Sequence, residues 1–126
     1  IDNNVFRIAW PSGTTIETWA PTAIAGRNQY SIAVDRNTGN IFIQSAGSGA
    51  DYVYKYAAWG DTTHTHSYSA GSGFVSFGME YDADADQLYV DDSNSTLIRV
   101  LNSTLTTEIT SFAHPAGSIR DITIGP

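Results

Sequence analysis

The residues with the most chemical potential in this chain are acidic. Asp82, Asp84 and Asp86 alternate with alanine, and Asp91 and Asp92 follow within one short strand's length. Asp-x-Asp-x-Asp spacing offers oxygen ligands at close intervals, which suits Ca²⁺, a hard cation taking roughly six to eight oxygens in flexible geometry. The glycine and the distant bidentate glutamate of a full EF-hand loop are missing. The competing expectation is a solvated hairpin turn, where aspartate is favoured because its carboxylate bonds to nearby backbone N–H groups. His64 and His66 lie two apart, so a strand would place both on one face. With His114 as a third donor they would suit Zn²⁺ or Cu²⁺, although threonine-rich flanks read equally as a solvated outer strand. Glu80 sits between Met79 and Tyr81, and Asp121 precedes Ile122. The motifs of a nucleophile elbow, a phosphate loop and a zinc-binding helix are absent.

These residues ride on a repeat. The stretch from Tyr30 to Ile43 returns from Phe77 to Val90 at an offset of 47, the same from Ile32 to Met79 as from Ile43 to Val90. Each copy reads as an alternating apolar strand, an Asp-led polar turn and a second alternating strand. A strand-only period of this size marks a repeat architecture such as a β-propeller. In the later copy the expected strands are Gly78–Tyr81, Gln87–Val90, Thr96–Leu101 and Thr107–Phe112, with turns through Asp91–Asn94 and Asn102–Thr104. In the earlier copy they are Ile32–Val34, Asn40–Gln44, Tyr52–Tyr56 and Thr63–Tyr68. Val5–Ala9 and Thr15–Trp19 read as the third and fourth strands of a preceding unit, and 119–126 as the first strand of a following one. The expected fold is therefore all-β: four-stranded antiparallel blades, two complete (30–76 and 77–118) and two partial (1–29 and 119–126). Helix is disfavoured, because no long segment shows apolar spacing at three and four. Ile32, Val34, Ile41, Ile43, Met79, Tyr81, Leu88 and Val90 are the expected buried positions.

Composition narrows the partners. The 126 residues carry a formal net charge of −7 with only six Lys and Arg, a poor balance for binding phosphate backbone or anionic membrane. With no cysteine there is neither a disulfide framework nor thiolate chemistry. No apolar run is long enough to span a bilayer as a helix. Charged residues make up 15%, and Ser, Thr, Gly and Tyr are plentiful, a profile that points to an extracellular, cell-surface or virion-surface protein. No basic-then-apolar leader opens the sequence, so secretion would rest on a segment removed from it or lying outside it. Asn94-Ser95-Thr96 and Asn102-Ser103-Thr104 fit the N-glycosylation acceptor pattern. The aromatic set Trp10, Trp19, Trp59, Tyr52, Tyr54, Tyr56, Tyr68 and Phe112 would stack on sugars or anchor protein contacts if exposed, and would pack between sheets if buried.

Ile32-Ala33-Val34-Asp35 with Ile41-Phe42-Ile43, and Met79-Glu80-Tyr81-Asp82 with Leu88-Tyr89-Val90, resemble the blades of NHL-type and YVTN-type β-propellers. Arg120 to Pro126 resembles the opening of another such blade. That resemblance implies structural, adhesive or scaffolding roles for some members and catalysis for others. It also implies that Glu80 and Asp121 line a central channel, where hydrolases and lyases of this architecture hold a metal. The favoured expectation is a surface binding or structural propeller acting through protein or glycan contacts. It would self-assemble or belong to a longer chain, with no nucleic-acid partner and no membrane insertion. The alternative is a six-bladed hydrolase or lyase with a channel metal.

Overall fold

Among the described residues ten strands follow one another in chain order and form three antiparallel sheets of two, four and four strands. The computed structural model describes residues 4–47, 49–71, 74, 77–114 and 121–125. The first sheet pairs β1 (Val5–Ile8) with β2 (Thr15–Trp19). The second is a meander of β3 (Asn28–Val34), β4 (Ile41–Ala46), β5 (Asp51–Tyr56) and β6 (His66–Gly71). The third repeats that plan with β7 (Met79–Asp82), β8 (Gln87–Asp92), β9 (Leu97–Asn102) and β10 (Glu108–Ala113). A single 3₁₀ turn, Thr22–Ile24, is the only helical element among the described residues. Ile119 and Arg120, the start of the expected opening strand, lie outside the described residues.

The repeat is local before it is tertiary. Asp35 Oδ1 accepts the backbone N–H of Asn37 at 2.9 Å and of Thr38 at 3.4 Å. Asp82 Oδ1 does the same for Asp84 and Ala85, both at 3.0 Å. An aspartate that closes its own turn explains why both copies begin it with Asp. The fifth turn residue is left-handed in both, Gly39 at φ +81° and Asp86 at φ +55°. Glycine takes that conformation freely, and aspartate is among the few other residues that tolerate it.

Alternation then sorts each strand into two faces. One face of the second sheet gives Ile41, Ile43, Tyr54 and Tyr56 to a core with Trp19 and Ile24. Its opposite face gives Ala33, Phe42 and Val53 to a larger core with Met79, Tyr81, Leu88, Val90 and Leu101 of the third sheet. The sheets thus pack face to face. The Phe42 ring stacks on Tyr81 with centroids 5.0 Å apart. Polar contacts cross the same interface at its rim: Tyr68 donates its hydroxyl to Glu108 at 2.8 Å, and Lys55 Nζ reaches the Ser103 carbonyl at 2.8 Å. The first strands β3 and β7 lie side by side. Gly78 backs onto residues 121–122, where a Cβ on Gly78 would come within 2.8 Å of Asp121 and Ile122 backbone atoms.

Six of the eight expected core residues are buried, and two are not. Met79 and Tyr81 are 4% and 7% exposed, whereas their repeat partners Ile32 and Val34 are 45% and 49% exposed. Ile32 pairs with Ile43, so it sits on the face turned to the β1–β2 sheet. That sheet covers β4 and β5, among the described residues none of its strands covers β3, and a small Ala33 takes the buried side of the strand instead.

Two further expectations need correcting. Asp91 and Asp92 are not turn residues: β8 runs through both, and both are buried. Their carboxylates have partners that make burial tolerable. Asp92 takes two hydrogen bonds from Arg99, at 2.8 and 2.7 Å, while Asp91 accepts from Ser93 at 2.5 Å. The strand expected at Thr63–Tyr68 is displaced to His66–Gly71, with Thr65 closing the turn through its N–H on the Lys55 carbonyl at 2.7 Å.

Candidate functional site

The β3–β4 and β7–β8 turns, Asp35–Gly39 and Asp82–Asp86, meet the segment 121–125 at one end of β3 and β7. There a cleft of about 410 Å³ is lined by Arg36, Glu80, Tyr81, Asp82, Ala83, Asp84 and Thr123–Gly125. Strand β7 supplies Glu80 on the face opposite Met79 and Tyr81, because side chains alternate. The following turn supplies Asp82 and Asp84, and the sister turn supplies Arg36. Three carboxylates against one guanidinium make the cleft acidic. It offers acceptors for a cationic group or for sugar hydroxyls. Its described lining contains no histidine, serine or cysteine.

The structure therefore brings Glu80 together with Asp82 and Asp84 but leaves Asp86 and Asp121 outside the cleft lining. Asp86 is engaged elsewhere. It accepts a short hydrogen bond from the Tyr81 hydroxyl and a second from Ser103 at 2.8 Å. These two bonds hold its carboxyl below the ordinary aspartate range. Burial first, and the Asp86 carboxylate second, push the Tyr81 hydroxyl well above its usual range. Asp86 thus ties strand β7 to the β9–β10 turn, and Asp82 closes its own turn. Asp121 is exposed and accepts the N–H of Ile122 at 2.9 Å. Among the described residues no three His, Asp or Glu side chains form a group arranged to hold a metal.

The histidines are dispersed. His64 precedes β6 and packs on the Tyr54 ring at 4.8 Å, while His66 opens β6 opposite Lys55. The sequence expected both on one strand face; the displaced strand start removes that pairing. His114 is buried after β10, its Nε2 3.9 Å from Asp91 Oδ1. This contact has a counterpart in the second sheet, where buried Gln44 donates to the Phe74 carbonyl at 3.2 Å. Gln44 and Asp91 are related by the repeat offset. In each sheet a buried polar group on the second strand lies against the segment that leaves the fourth strand, although the 3.9 Å between Asp91 and His114 is longer than a hydrogen bond. Sequence reading missed it because it joins residues that no local motif connects.

The aromatic set divides. Trp19 is buried, donating its indole N–H to the Asp61 carbonyl at 2.9 Å, and Trp59 packs on it at 5.3 Å. Tyr52, Tyr54 and Tyr56 share one face as their spacing predicts, and burial lifts the Tyr56 hydroxyl to about 12. Trp10, at the tip of the β1–β2 hairpin, is 93% exposed. Asn94 is exposed in the β8–β9 turn. Asn102 instead uses its amide inside the β9–β10 turn, donating to Thr106 Oγ1 at 2.9 Å and accepting the Thr106 and Thr107 N–H groups.

A second depression lies between β1 and β3. It measures about 320 Å³ and is lined by Asn4, Val5, Phe6, Tyr30, Ile32 and Ile43, with Gln29 and Ser31. Its apolar lining differs from the acidic cleft. Among the described residues no helix is long and apolar enough to cross a membrane. No family model matches the chain, and no curated protein matches it either.

Proposed function

We propose that this chain forms blades of an NHL- or YVTN-like β-propeller that works outside the cell, on a cell surface or on a virion, through protein or glycan contacts. Support for the architecture comes from the two four-stranded meanders, the adjacency of β3 and β7, and the seating of residues 121–122 on Gly78. One observation carries the binding role: where the exposed large apolar side chains lie. Phe6, Ile8, Trp10, Ile16, Tyr30, Ile32 and Val34 belong to the β1–β2 hairpin and β3. Ile109, Phe112 and Ile124 belong to the last strand and the segment after it. Exposed apolar surface gathered in this way marks contact faces.

A second reading is favoured by Glu80. It shares a cleft with Asp82, Asp84 and Arg36, and carboxylates in one cleft are the raw material of a hydrolase or lyase with a channel metal. Turnover assays on lactone and phosphoester reporters, with and without divalent cations, separate the two readings. No turnover above background, together with retention on glycan or protein surfaces that Trp10→Ala weakens, supports the binding module. Turnover abolished by Glu80→Gln overturns it in favour of the enzyme.

A further inference from the structure

We propose that Asn94 is an N-glycan acceptor and that the chain's other acceptor triplet, at Asn102, stays bare. The inference rests on the extracellular or surface reading above. Asn94-Ser95-Thr96 and Asn102-Ser103-Thr104 both fit the acceptor pattern, and by sequence they stand equal. The structure separates them. Asn94 stands in the β8–β9 turn, where Asn94, Ser95 and Thr96 are all exposed. Among the described residues the Asn94 amide has no hydrogen-bond partner. The turn is nevertheless fixed by its neighbours. The Ser95 N–H donates to the Asp92 carbonyl at 3.2 Å and to Asp92 Oδ1 at 3.3 Å, and the His114 N–H donates to the Thr96 carbonyl at 3.2 Å. An ordered turn whose asparagine takes no part in ordering it presents that amide to solvent.

Asn102 is committed to its own turn. Its Nδ2 donates to Thr106 Oγ1 at 2.9 Å, and its Oδ1 accepts the Thr106 and Thr107 N–H groups at 2.9 and 3.1 Å. The rest of the triplet is engaged as well. Ser103 Oγ donates to Asp86 at 2.8 Å, Lys55 Nζ reaches the Ser103 carbonyl at 2.8 Å, and Thr104 Oγ1 meets Thr106 Oγ1 at 3.0 Å. Leu105, next in line, is buried in the core between the sheets. Presenting Asn102 to a transferase would dismantle the turn that joins the two sheets. Strand β8 runs from the Asp82–Asp86 turn to the turn that carries Asn94, so a glycan on Asn94 sits at the opposite end of the sheet from the acidic cleft. A bulky, hydrated chain is tolerated at such a surface turn. The donor is an oligosaccharide linked to a lipid pyrophosphate. Asn94 Nδ2 forms a bond to the anomeric carbon and gives up one of its two protons to a transferase base. The bond from that carbon to the pyrophosphate oxygen breaks, and the lipid pyrophosphate leaves with the electron pair.

The folded 126-residue chain is incubated with an oligosaccharyltransferase and a lipid-pyrophosphate-linked chitobiose, beside a short acceptor peptide as control. Addition of a single glycan is expected, mapped by mass to Asn94. It should be lost in Asn94→Gln and Thr96→Ala and kept in Thr104→Ala. All three positions are exposed, and unchanged amide-exchange protection of β8 and β9 verifies that each variant is folded. No transfer to the chain while the control peptide is modified overturns the proposal, as does transfer that Asn94→Gln leaves untouched. The chain recovered from its native source is then treated with peptide N-glycosidase in heavy-oxygen water, which labels each asparagine that carried a glycan. Label at position 94 and none at 102 is expected; label at 102, or its absence at 94, overturns the assignment. Antibody staining of intact, unpermeabilised cells or particles keeps the two failures apart. A chain that is stained but bare at Asn94 overturns the glycan site alone. A chain shielded from the antibody sinks the surface reading, and the glycan site with it.

Discussion

Arg99→Met removes the centre of the polar network that fastens the third sheet to the second. Arg99 donates from Nε and Nη2 to Asp92, and from Nη1 to Glu108 at 2.7 Å; Glu108 also accepts from Tyr68 on the neighbouring sheet. The Arg99 and Asp92 side chains are only 19% and 5% exposed. Deleting one partner of such a pair strands the other, which costs about 3 kcal/mol. For a domain of this size that corresponds to a fall of about 10 °C in melting temperature at neutral pH. The loss should depend on pH with a definite sign. Burial works to raise the Glu108 carboxyl, but the bonds from Arg99 and Tyr68 outweigh it and hold the carboxyl below its ordinary range. A lowered folded-state value stabilises the protein fully above the ordinary glutamate range, and that stability drains away as pH falls through the lowered value. The variant loses most of this lowering, so the gap between wild type and variant should narrow on acidification. Urea denaturation at pH 7 and at about pH 3.5, repeated on Glu108→Gln and the double variant, reads both effects. A cost under about 1 kcal/mol at neutral pH, or a gap that stays constant with pH, would refute the network argument.

Leu88→Ala should cost about 2–5 kcal/mol, since Leu88 is fully buried between the sheets, whereas Val34→Ser should cost less than about 1 kcal/mol; equal costs in urea melts would mean the β3 face is covered after all. Gly78→Ala should loosen the segment 121–125, because the new methyl meets Asp121 and Ile122 backbone rather than a yielding side chain; amide exchange there should accelerate while β8 and β9 keep their protection. Millimolar Ca²⁺ should leave the melting temperature unchanged, because Asp86 is occupied by Tyr81 and Ser103 and Asp82 by its own turn; a clear rise would place the ion on the Asp82–Asp86 turn.

How much of this was legible depends on the range of the interaction. The strands and their order follow from alternation, and the turns follow from Asp35 and Asp82, each of which closes its loop with its own carboxylate. The displaced strand at His66 and the extended β8 mark where local signals fail. Asp91 and Asp92 look like turn residues to any rule based on propensity. They become strand residues because Arg99 and Ser93 arrive to bond their carboxylates. Ile32 and Val34 fail for the opposite reason. Their pattern is that of a core strand, but burial is decided by whether another sheet lies over them. The acidic cleft was half legible: Glu80, Asp82 and Asp84 stand out in the sequence, while Arg36 joins them only because two turns separated by the repeat offset meet in space.

That asymmetry bears on function. In a chain of stacked sheets every interior interface is specified twice, once by each neighbour, and the Phe42–Tyr81 stack shows how closely the two halves fit. Ile32 and Val34 keep the side chains that would suit a covering sheet, although a solvent-facing strand surface would ordinarily be polar. An apolar pair held at these two positions carries a solubility cost that a polar pair would not.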